Sequence, residues 1–284
     1  MRRRLLAPAA ALLLLAAAAL AGPLLQALLG HDPDAIDLLA RLEPPSAAHP
    51  LGTDELGRDY LLRLAYGGRV SLAVGILGAL LAALIGAAVG LAAGYAGGRV
   101  DVVLMRLTDA VIALPLLPLL VVLAAVDPAK LGLPATLAEG AAGGAGRIVL
   151  IVALFGWTTA ARLVRASVLS LRRRDFVLAA RALGAGPVRI ALRHLLPNAA
   201  GPLVVTTALS VGQVILAESV LSFLGLGIQP PTPSWGNMLT GAQELLFEAP
   251  RLALMPGLLI FAAVLASNRL GDALNAALEP GRTR

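Results

Sequence analysis

The side chains that most often carry out catalysis or bind metals are sparse in this sequence. The chain contains no cysteine, and its three histidines, His31, His49 and His194, do not have metal-ligand spacing. It has neither a Gly-x-Ser-x-Gly nor a His-Glu-x-x-His motif. The only lysine, Lys130, lacks the glycine-rich turn of a phosphate-binding loop. We therefore predict that the chain is not an enzyme, holds no cofactor or metal, and depends on a partner for any ATP hydrolysis.

Arginine is the common basic residue, and it is concentrated in one connection. Six arginines stand there against a single acid, Asp175. They are Arg172, Arg173, Arg174, Arg181, Arg189 and Arg193. The formal charge of +6 would point to nucleic-acid binding in a soluble protein. Here 58% of the 284 residues are hydrophobic and only 14% are charged, so the class is integral membrane and we predict no nucleic-acid partner.

The apolar runs around this connection are long and do not alternate, so the predicted fold class is all-α. Six of them are long enough to cross a bilayer about 30 Å thick at ~1.5 Å per residue. They cover residues 5–29, 70–95, 102–126, 148–169, 202–221 and 252–270. A cleaved signal peptide is the alternative for the first run, since arginines precede it. Its length, without a clear small-residue cleavage site, favours a retained span.

The charge distribution predicts the orientation of these spans. Arginines at residues 2–4 place the N-terminus in the cytoplasm, and six crossings return the C-terminus, with Arg282 and Arg284, to the same side. The arginine-rich connection between the fourth and fifth spans is then cytoplasmic as well. Segment 30–68, on the opposite side, has more acids than bases. Span count and charge bias therefore agree.

Within the arginine-rich connection, the sequence has the pattern helix, break, helix. Residues 176–183 favour a helix, Gly184 with the next two residues can end it, and Pro187 suits the first turn of another. This second helix, 188–196, is expected to stop at Pro197, and Asn198 can cap the span that follows.

The apolar residues of the first short helix, Phe176, Val177 and Leu183, have no lipid to face on this side of the membrane. Packing on the chain's own helix ends is one explanation. We favour the other, which is docking on a separate protein.

The same segment resembles the cytoplasmic signature of ABC-importer permeases, which reads Glu-Ala-Ala, three residues, Gly, nine residues, Ile, one residue, Leu-Pro. The positions that match are Ala179, Ala180, Gly184, Leu196 and Pro197. Leu178 stands in place of the family's Glu, and His194 in place of its Ile. These departures narrow the resemblance to the dipeptide/oligopeptide/nickel branch and its C-type subunit, which share Ala-Ala-Arg-Ala-Leu-Gly and His-x-Leu-Pro-Asn.

Three further segments look like signatures of that branch. The first, 49–59, begins His-Pro-Leu-Gly-Thr-Asp; the second, 94–109, contains Gly-Tyr-x-Gly-Gly; and the third, 221–236, ends Pro-Ser-Trp-Gly. The resemblance therefore covers nearly the whole chain from residue 49 onward.

The resemblance implies a type I ABC-importer permease fold with a cytoplasmic coupling helix, in a bacterial or archaeal cytoplasmic membrane. It also implies three kinds of partner: a homologous second permease, two cytoplasmic ATPases that bind ATP and Mg, and an extracytoplasmic solute-binding protein. In the family, the short loop helix sits in a groove on the ATPase. The residues expected to couple in this chain are Phe176, Ala179, Ala180, Arg181, Gly184, His194, Pro197 and Asn198.

The cargo implied by the resemblance is a di- or oligopeptide, with nickel or another small solute as the alternative within the same family. A membrane enzyme is a less favoured reading, because the catalytic motifs named above are missing. We divide the chain into an N-terminal span with an extracytoplasmic segment, 1–69, and a permease core, 70–284. An amphipathic helix at the membrane surface is expected over 55–69.

Several residues inside the spans also suggest roles. Arg106 and Asp109 are three residues apart on one helical face, and we expect a structural ion pair, with contact to the loop or the ATPase as the alternative. Glu218 either lines the translocation path or reaches the far interface. Trp235 is expected to anchor a proline-rich turn at the interface.

Glycines at residues 86, 90 and 94 share one helical face. They predict close packing of a second helix, with a sliding surface as the alternative.

Overall fold

The computed structural model describes residues 2–126, 140–242 and 244–278. These ranges contain α-helices joined by turns, and no β-strand, which confirms the all-α fold class. The helices are α1 (Arg2–Leu20), α2 (Gly22–Leu29), α3 (Tyr60–Ala96), α4 (Gly98–Ala113), α5 (Leu116–Ala125), α6 (Gly140–Leu171), α7 (Asp175–Ala182), α8 (Pro187–Ile190), α9 (Leu196–Phe223) and α10 (Arg251–Leu278). Lys130, Arg282 and Arg284 lie outside the described residues.

Four helices are long and apolar enough to cross a membrane by themselves: α3, α6, α10, and α8 with α9, which together run from Pro187 to Phe223. Two bent pairs raise the number to six if each pair crosses once. The α1–α2 pair is bent by 43° and the α4–α5 pair by 85°. Pro115 lies at the second bend, where its missing N–H and its ring prevent the helix from continuing. The six spans predicted from the sequence are therefore the maximum number that these helices allow.

Helix α3 is the central element, because it packs against both α6 and α9. It begins after Asp59, whose side chain accepts the Leu62 N–H at 2.9 Å and caps the helix. The expectation of a surface helix over 55–69 is wrong. Tyr60, Leu62 and Arg63 are buried, because the segment that contains Trp235 covers this part of α3. The helix also runs without a break through residues 69 and 70, where we expected the two parts of the chain to meet.

The predicted glycine face of α3 packs directly on α6. A Cβ added at Gly86, Gly90 or Gly94 would come within 3.0 Å of α6 atoms, including the backbone of Trp157 and Ala161. Small side chains let the two helix backbones approach closely, so van der Waals contact is continuous along the pair. This supports the packing interpretation of the three glycines.

The two ends of α3 carry different structures, and its 37 residues span about 55 Å at ~1.5 Å per residue. At the Trp235 end, defined as residues 60–71, Trp235 and Leu252 form hydrogen bonds with the helix. At the loop end, defined as residues 94–96, Arg172 and Arg181 contact Gly94 and Tyr95. The arginine-rich connection thus lies at the opposite end of the bundle from the proline-rich turn.

Candidate functional site

The candidate site is the connection from Arg172 to Asn198, and its first half folds as the sequence predicts. Helix α7 covers Asp175–Ala182. It ends at Gly184, which has a φ of 81° in the left-handed region that favours glycine. The Ala185 N–H closes the turn by donating to the Ala180 carbonyl at 3.0 Å. Pro187 then opens α8 at its first position.

The second half differs from the prediction at Pro197. The helix does not stop there: α8 passes through a π-helical turn, Ala191–Leu195, directly into α9. In this turn the Leu196 N–H donates to the Ala191 carbonyl, five residues back. The wider turn shifts the register ahead of Pro197, so the missing proline N–H falls in the first turn of α9 and the helix continues. Asn198 does not cap the span; its side-chain amide donates to the His194 carbonyl at 2.6 Å.

Helix α7 has one side turned into the protein. Val177 is fully buried and Ala180 is 8% exposed, and both belong to a cluster that includes Val164, Val168 and Leu195. The cluster joins α7 to α6 and to the turn before α9. For Val177, packing on the chain's own helices is therefore the correct explanation, and docking on another protein is wrong.

A flank of α7 beside this buried side is open. Phe176 is 42% exposed and Leu183 is 88% exposed, and they share a flank because they are seven residues apart. Of the predicted coupling residues, Ala179, Arg181, Gly184, Pro197 and Asn198 are also exposed. His194 is half-buried and Ala180 is buried. Six of the eight predicted coupling residues are therefore accessible in this chain.

The predicted ion pair within α4 is wrong, because Asp109 pairs across helices. Its Oδ1 accepts from the Arg162 guanidinium of α6 at 2.5 Å. Arg106 is exposed and is not among the ion pairs of the described residues. Arg106 and Asp109 share a face of α4, but Asp109 takes the Arg162 guanidinium of the neighbouring α6 as its partner.

A second inter-helix pair was missed. Asp101 of α4 binds Arg165 of α6 through both carboxylate oxygens, with Arg165 NH2 2.7 Å from Oδ2. This pair is less exposed than the Asp109–Arg162 pair. Charged side chains within membrane spans require partners. Two acids on α4, eight residues apart, and two arginines on α6 were therefore the sequence signal for pairing between these antiparallel helices.

Glu218 lies in the interior of the chain and is fully buried. Its carboxylate accepts hydrogen bonds from the hydroxyls of Ser71 at 3.0 Å and Ser222 at 2.7 Å. It therefore faces neither the path nor the far interface in this conformation. Its hydrogen bonds join α3 to α9.

Trp235 does not act as an interfacial anchor, because it is only 2% exposed. Its ring N–H donates to the Leu64 carbonyl at 3.0 Å, and its backbone N–H donates to Ser71 Oγ at 3.1 Å. The Glu218 hydrogen bonds and Trp235 thus fasten the proline-rich turn onto α3 and α9.

A cluster of charged groups lies at the same end of α3. Buried Arg63 donates to Asp34 Oδ1 at 2.9 Å and lies 3.5 Å from Asp54. Asp54 also binds Arg58 at 2.7 Å. The signature segment 49–59 is therefore held against the start of α3. Among the described residues, no group of three or more His, Cys, Asp or Glu is arranged to hold a metal ion.

Comparison with known proteins identifies the family of the chain. Residues 85–284 match the sequence model of the binding-protein-dependent transport system inner membrane components. The chain is 40% identical to the nickel transport system permease protein NikC of Escherichia coli over 92% of this chain and 90% of that protein. It is 39% identical to the dipeptide transport system permease protein DppC of Bacillus subtilis over 92% and 77%. It is 39% identical to the glutathione transport system permease protein GsiD of Pectobacterium atrosepticum over 84% and 74%.

The all-helical fold, the helices of membrane-spanning length and these matches agree with the resemblance drawn from the sequence motifs. They make the chain a multi-pass membrane transport component and not an enzyme. The chain belongs to the inner-membrane components of binding-protein-dependent transport systems, the permeases of ABC importers.

Proposed function

We propose that the chain forms part of the translocation path of a peptide importer and that its α7 docks on a cytoplasmic ATPase. The observation that carries this is the exposed flank of α7, with Phe176 and Leu183, on a helix that is fixed to the bundle by buried Val177. A short helix that presents apolar side chains from a rigid base is suited to a groove on another protein. The turn at Gly184 joins α7 to α8, and α8 continues directly into α9, which provides a connection to the membrane part.

In this arrangement both termini and the arginine-rich connection lie in the cytoplasm, in accordance with the bias of arginines toward that side. The remaining partners are a homologous second permease, a second copy or homologue of the ATPase, and an extracytoplasmic solute-binding protein. The ATPases bind the ATP and Mg. The turn around Trp235 lies on the opposite side, where the binding protein delivers the solute.

Peptides are the favoured cargo, because the names of two of the three relatives refer to dipeptide and glutathione transport. Nickel is the second candidate, supported by the 40% identity to a nickel permease. Proteoliposomes that contain the full transporter and its solute-binding protein distinguish them. We expect ATP-dependent uptake of a labelled dipeptide and none of ⁶³Ni²⁺, and the reverse result would assign the nickel function.

Docking of α7 is tested by cysteine crosslinking, since the chain has no native cysteine. Leu183→Cys places a thiol on the exposed flank, and Ala180→Cys serves as the matched control because that position is buried. We expect Leu183→Cys to crosslink to the co-expressed ATPase, more strongly in one nucleotide state, while Ala180→Cys stays unlinked. An assembled complex in which Leu183→Cys never crosslinks would rule out the proposed contact.

A further inference from the structure

A cavity lies near the Trp235 end of the bundle, away from α7 and its docking flank. Its volume is about 390 Å³, and it is bounded by the end of α5, one side of α6 and the turn 225–232. A sphere of that volume is about 9 Å across, and two extended amino acids span about 7 Å. The cavity therefore has the size of a small-molecule site and accommodates a dipeptide.

Arg147 is the only charged residue among the cavity-lining residues that the structure describes. Its Nη2 donates to three carbonyls at the end of α5, those of Leu123 at 3.2 Å and of Ala124 and Val126 at 2.5 Å. These bonds fix the guanidinium but use only one of its nitrogens, so the N–H groups of Nε and Nη1 can donate to a ligand. Within the described ranges, no carboxylate forms an ion pair with Arg147.

The other polar side chains of the lining carry no charge. Gln229 is exposed, and its side-chain N–H donates to the Gly225 carbonyl at 2.6 Å, which leaves its Oε1 to accept a hydrogen bond. Thr232 adds a hydroxyl, and Ile151 and Leu226 add apolar surface. One cation, a few uncharged hydrogen-bonding groups and an apolar wall are the usual components of a site for a small organic molecule.

This lining distinguishes between the candidate cargoes. A guanidinium without an acid in the described lining attracts a carboxylate and repels a free metal cation such as Ni²⁺. We infer that the cavity is an entrance subsite in which Arg147 binds the C-terminal carboxylate of a short peptide. The inference rests on the proposed peptide function and on the orientation that places the Trp235 end where the solute arrives.

The chemistry of the lining predicts which end of the peptide is recognised. The charge-assisted hydrogen bond from Arg147 should contribute a factor of at least about ten to binding, so a dipeptide amide should bind at least about tenfold more weakly than the free acid. An N-acetylated dipeptide should bind as well as the free one, because the described lining offers no carboxylate to the amino group.

Saturation-transfer NMR on the permease–ATPase complex in nanodiscs measures this binding. The solute-binding protein is left out, so that its own recognition of peptide ends does not contribute. The probes are alanyl-alanine, its N-acetyl derivative and its C-terminal amide. We expect signals from the first two and a signal from the amide only at higher concentration. Equal affinity of the amide and the free acid would overturn the inference.

Gly144 and Gly146 of α6 provide a matched pair of variants that leave Arg147 in place. Outside its own helix, neither glycine has an atom within 4 Å of an added Cβ, but only Gly144 lines the cavity. Gly144→Leu should fill the cavity and lower alanyl-alanine binding at least about tenfold, since it excludes the carboxylate from Arg147. Gly146→Leu should bind like the unmodified chain, and equal binding by both variants would contradict the subsite.

Uptake by proteoliposomes that contain the full transporter and its solute-binding protein separates this inference from the proposed function. Absence of dipeptide uptake by the unmodified transporter would overturn the peptide function and the subsite together. Normal uptake by the unmodified transporter and by Gly144→Leu would overturn the subsite alone. The expected result is uptake by the unmodified transporter and by Gly146→Leu, with a loss in Gly144→Leu.

Discussion

The hydroxyl of Ser71 on α3 donates to the Glu218 carboxylate on α9 at 3.0 Å. The oxygen of this serine hydroxyl also accepts the backbone N–H of Trp235. One serine thus joins two spanning helices and the turn that covers their ends. Ser222 has a parallel role, since it donates to Glu218 and accepts the Ile228 N–H at 3.0 Å. Glu218 is therefore the centre of a hydrogen-bonded joint.

Replacing Glu218 with alanine should destabilise the chain by about 3 kcal/mol, because buried hydroxyls lose their acceptor and a cavity remains. The midpoint of thermal unfolding of the purified complex measures this. Ser267→Ala is the control: its buried hydroxyl donates to the Ala263 carbonyl of its own helix at 2.8 Å, so its loss should cost less than about 1 kcal/mol. Equal midpoints for both variants would show that the joint contributes nothing to stability.

The two ion pairs between α4 and α6 should differ in strength. Asp101→Asn breaks a bidentate pair with side chains 16% and 32% exposed, and should cost about 1 kcal/mol. Asp109→Asn breaks a pair with side chains 50% and 49% exposed, and should cost less than about 0.5 kcal/mol. The swap Asp101→Arg/Arg165→Asp should recover part of the loss, and no recovery would argue against a direct pair.

Gly90→Ala should weaken the α3–α6 contact by about 2 kcal/mol, because the new methyl would meet main-chain atoms of α6 that cannot rotate away. Gly156→Ala, on the α6 side, is the matched control: its Cβ would meet only the Ala82 methyl at 3.4 Å. The midpoint of thermal unfolding should therefore be lowered by Gly90→Ala and nearly unchanged by Gly156→Ala. If Gly90→Ala proves neutral, the two helices must be able to separate, as a sliding surface would require.

Gly184→Val should uncouple ATP hydrolysis from solute uptake, since a β-branched residue at a φ of 81° costs at least about 1 kcal/mol and distorts the turn after α7. Gly184→Asn should keep more of the coupling, because asparagine tolerates the left-handed region. Gly186 has a φ of −70° and open space at its Cβ, so Gly186→Ala should behave normally. The ratio of ATP hydrolysed to solute taken up in proteoliposomes is the measurement, and a normal ratio in Gly184→Val would contradict the prediction.

Local sequence signals predicted the helical class, the apolar runs and the turn at Gly184, since these depend on composition and on residues next to one another. The failures at residues 60–69 and at Asp109 involve distant residues. The apolar and charged side chains at 60–69 fit a surface helix until Trp235 is known to cover them. Asp109 takes Arg162 as its partner only after α4 and α6 have packed, and Pro197 is compatible with a helix only through the π-helical turn before it.

The candidate site was predictable only where it depends on local sequence signals. The motif spacing identified α7 and its family, but could not separate Val177, which points inward, from Phe176, which points outward. That distinction depends on the cluster formed with Val164 and Leu195, which no local pattern reveals.

The uninterrupted run from Pro187 to Phe223 has a mechanical consequence. A flexible hinge at Pro197 would let the arginine-rich connection move independently of α9. With 37 residues in one continuous helix, a tilt at Arg189 would displace Ser222, about 50 Å away at ~1.5 Å per residue. The hydrogen-bonded joint at Glu218 would move with it, so the helix acts as a lever arm between the two ends of the bundle.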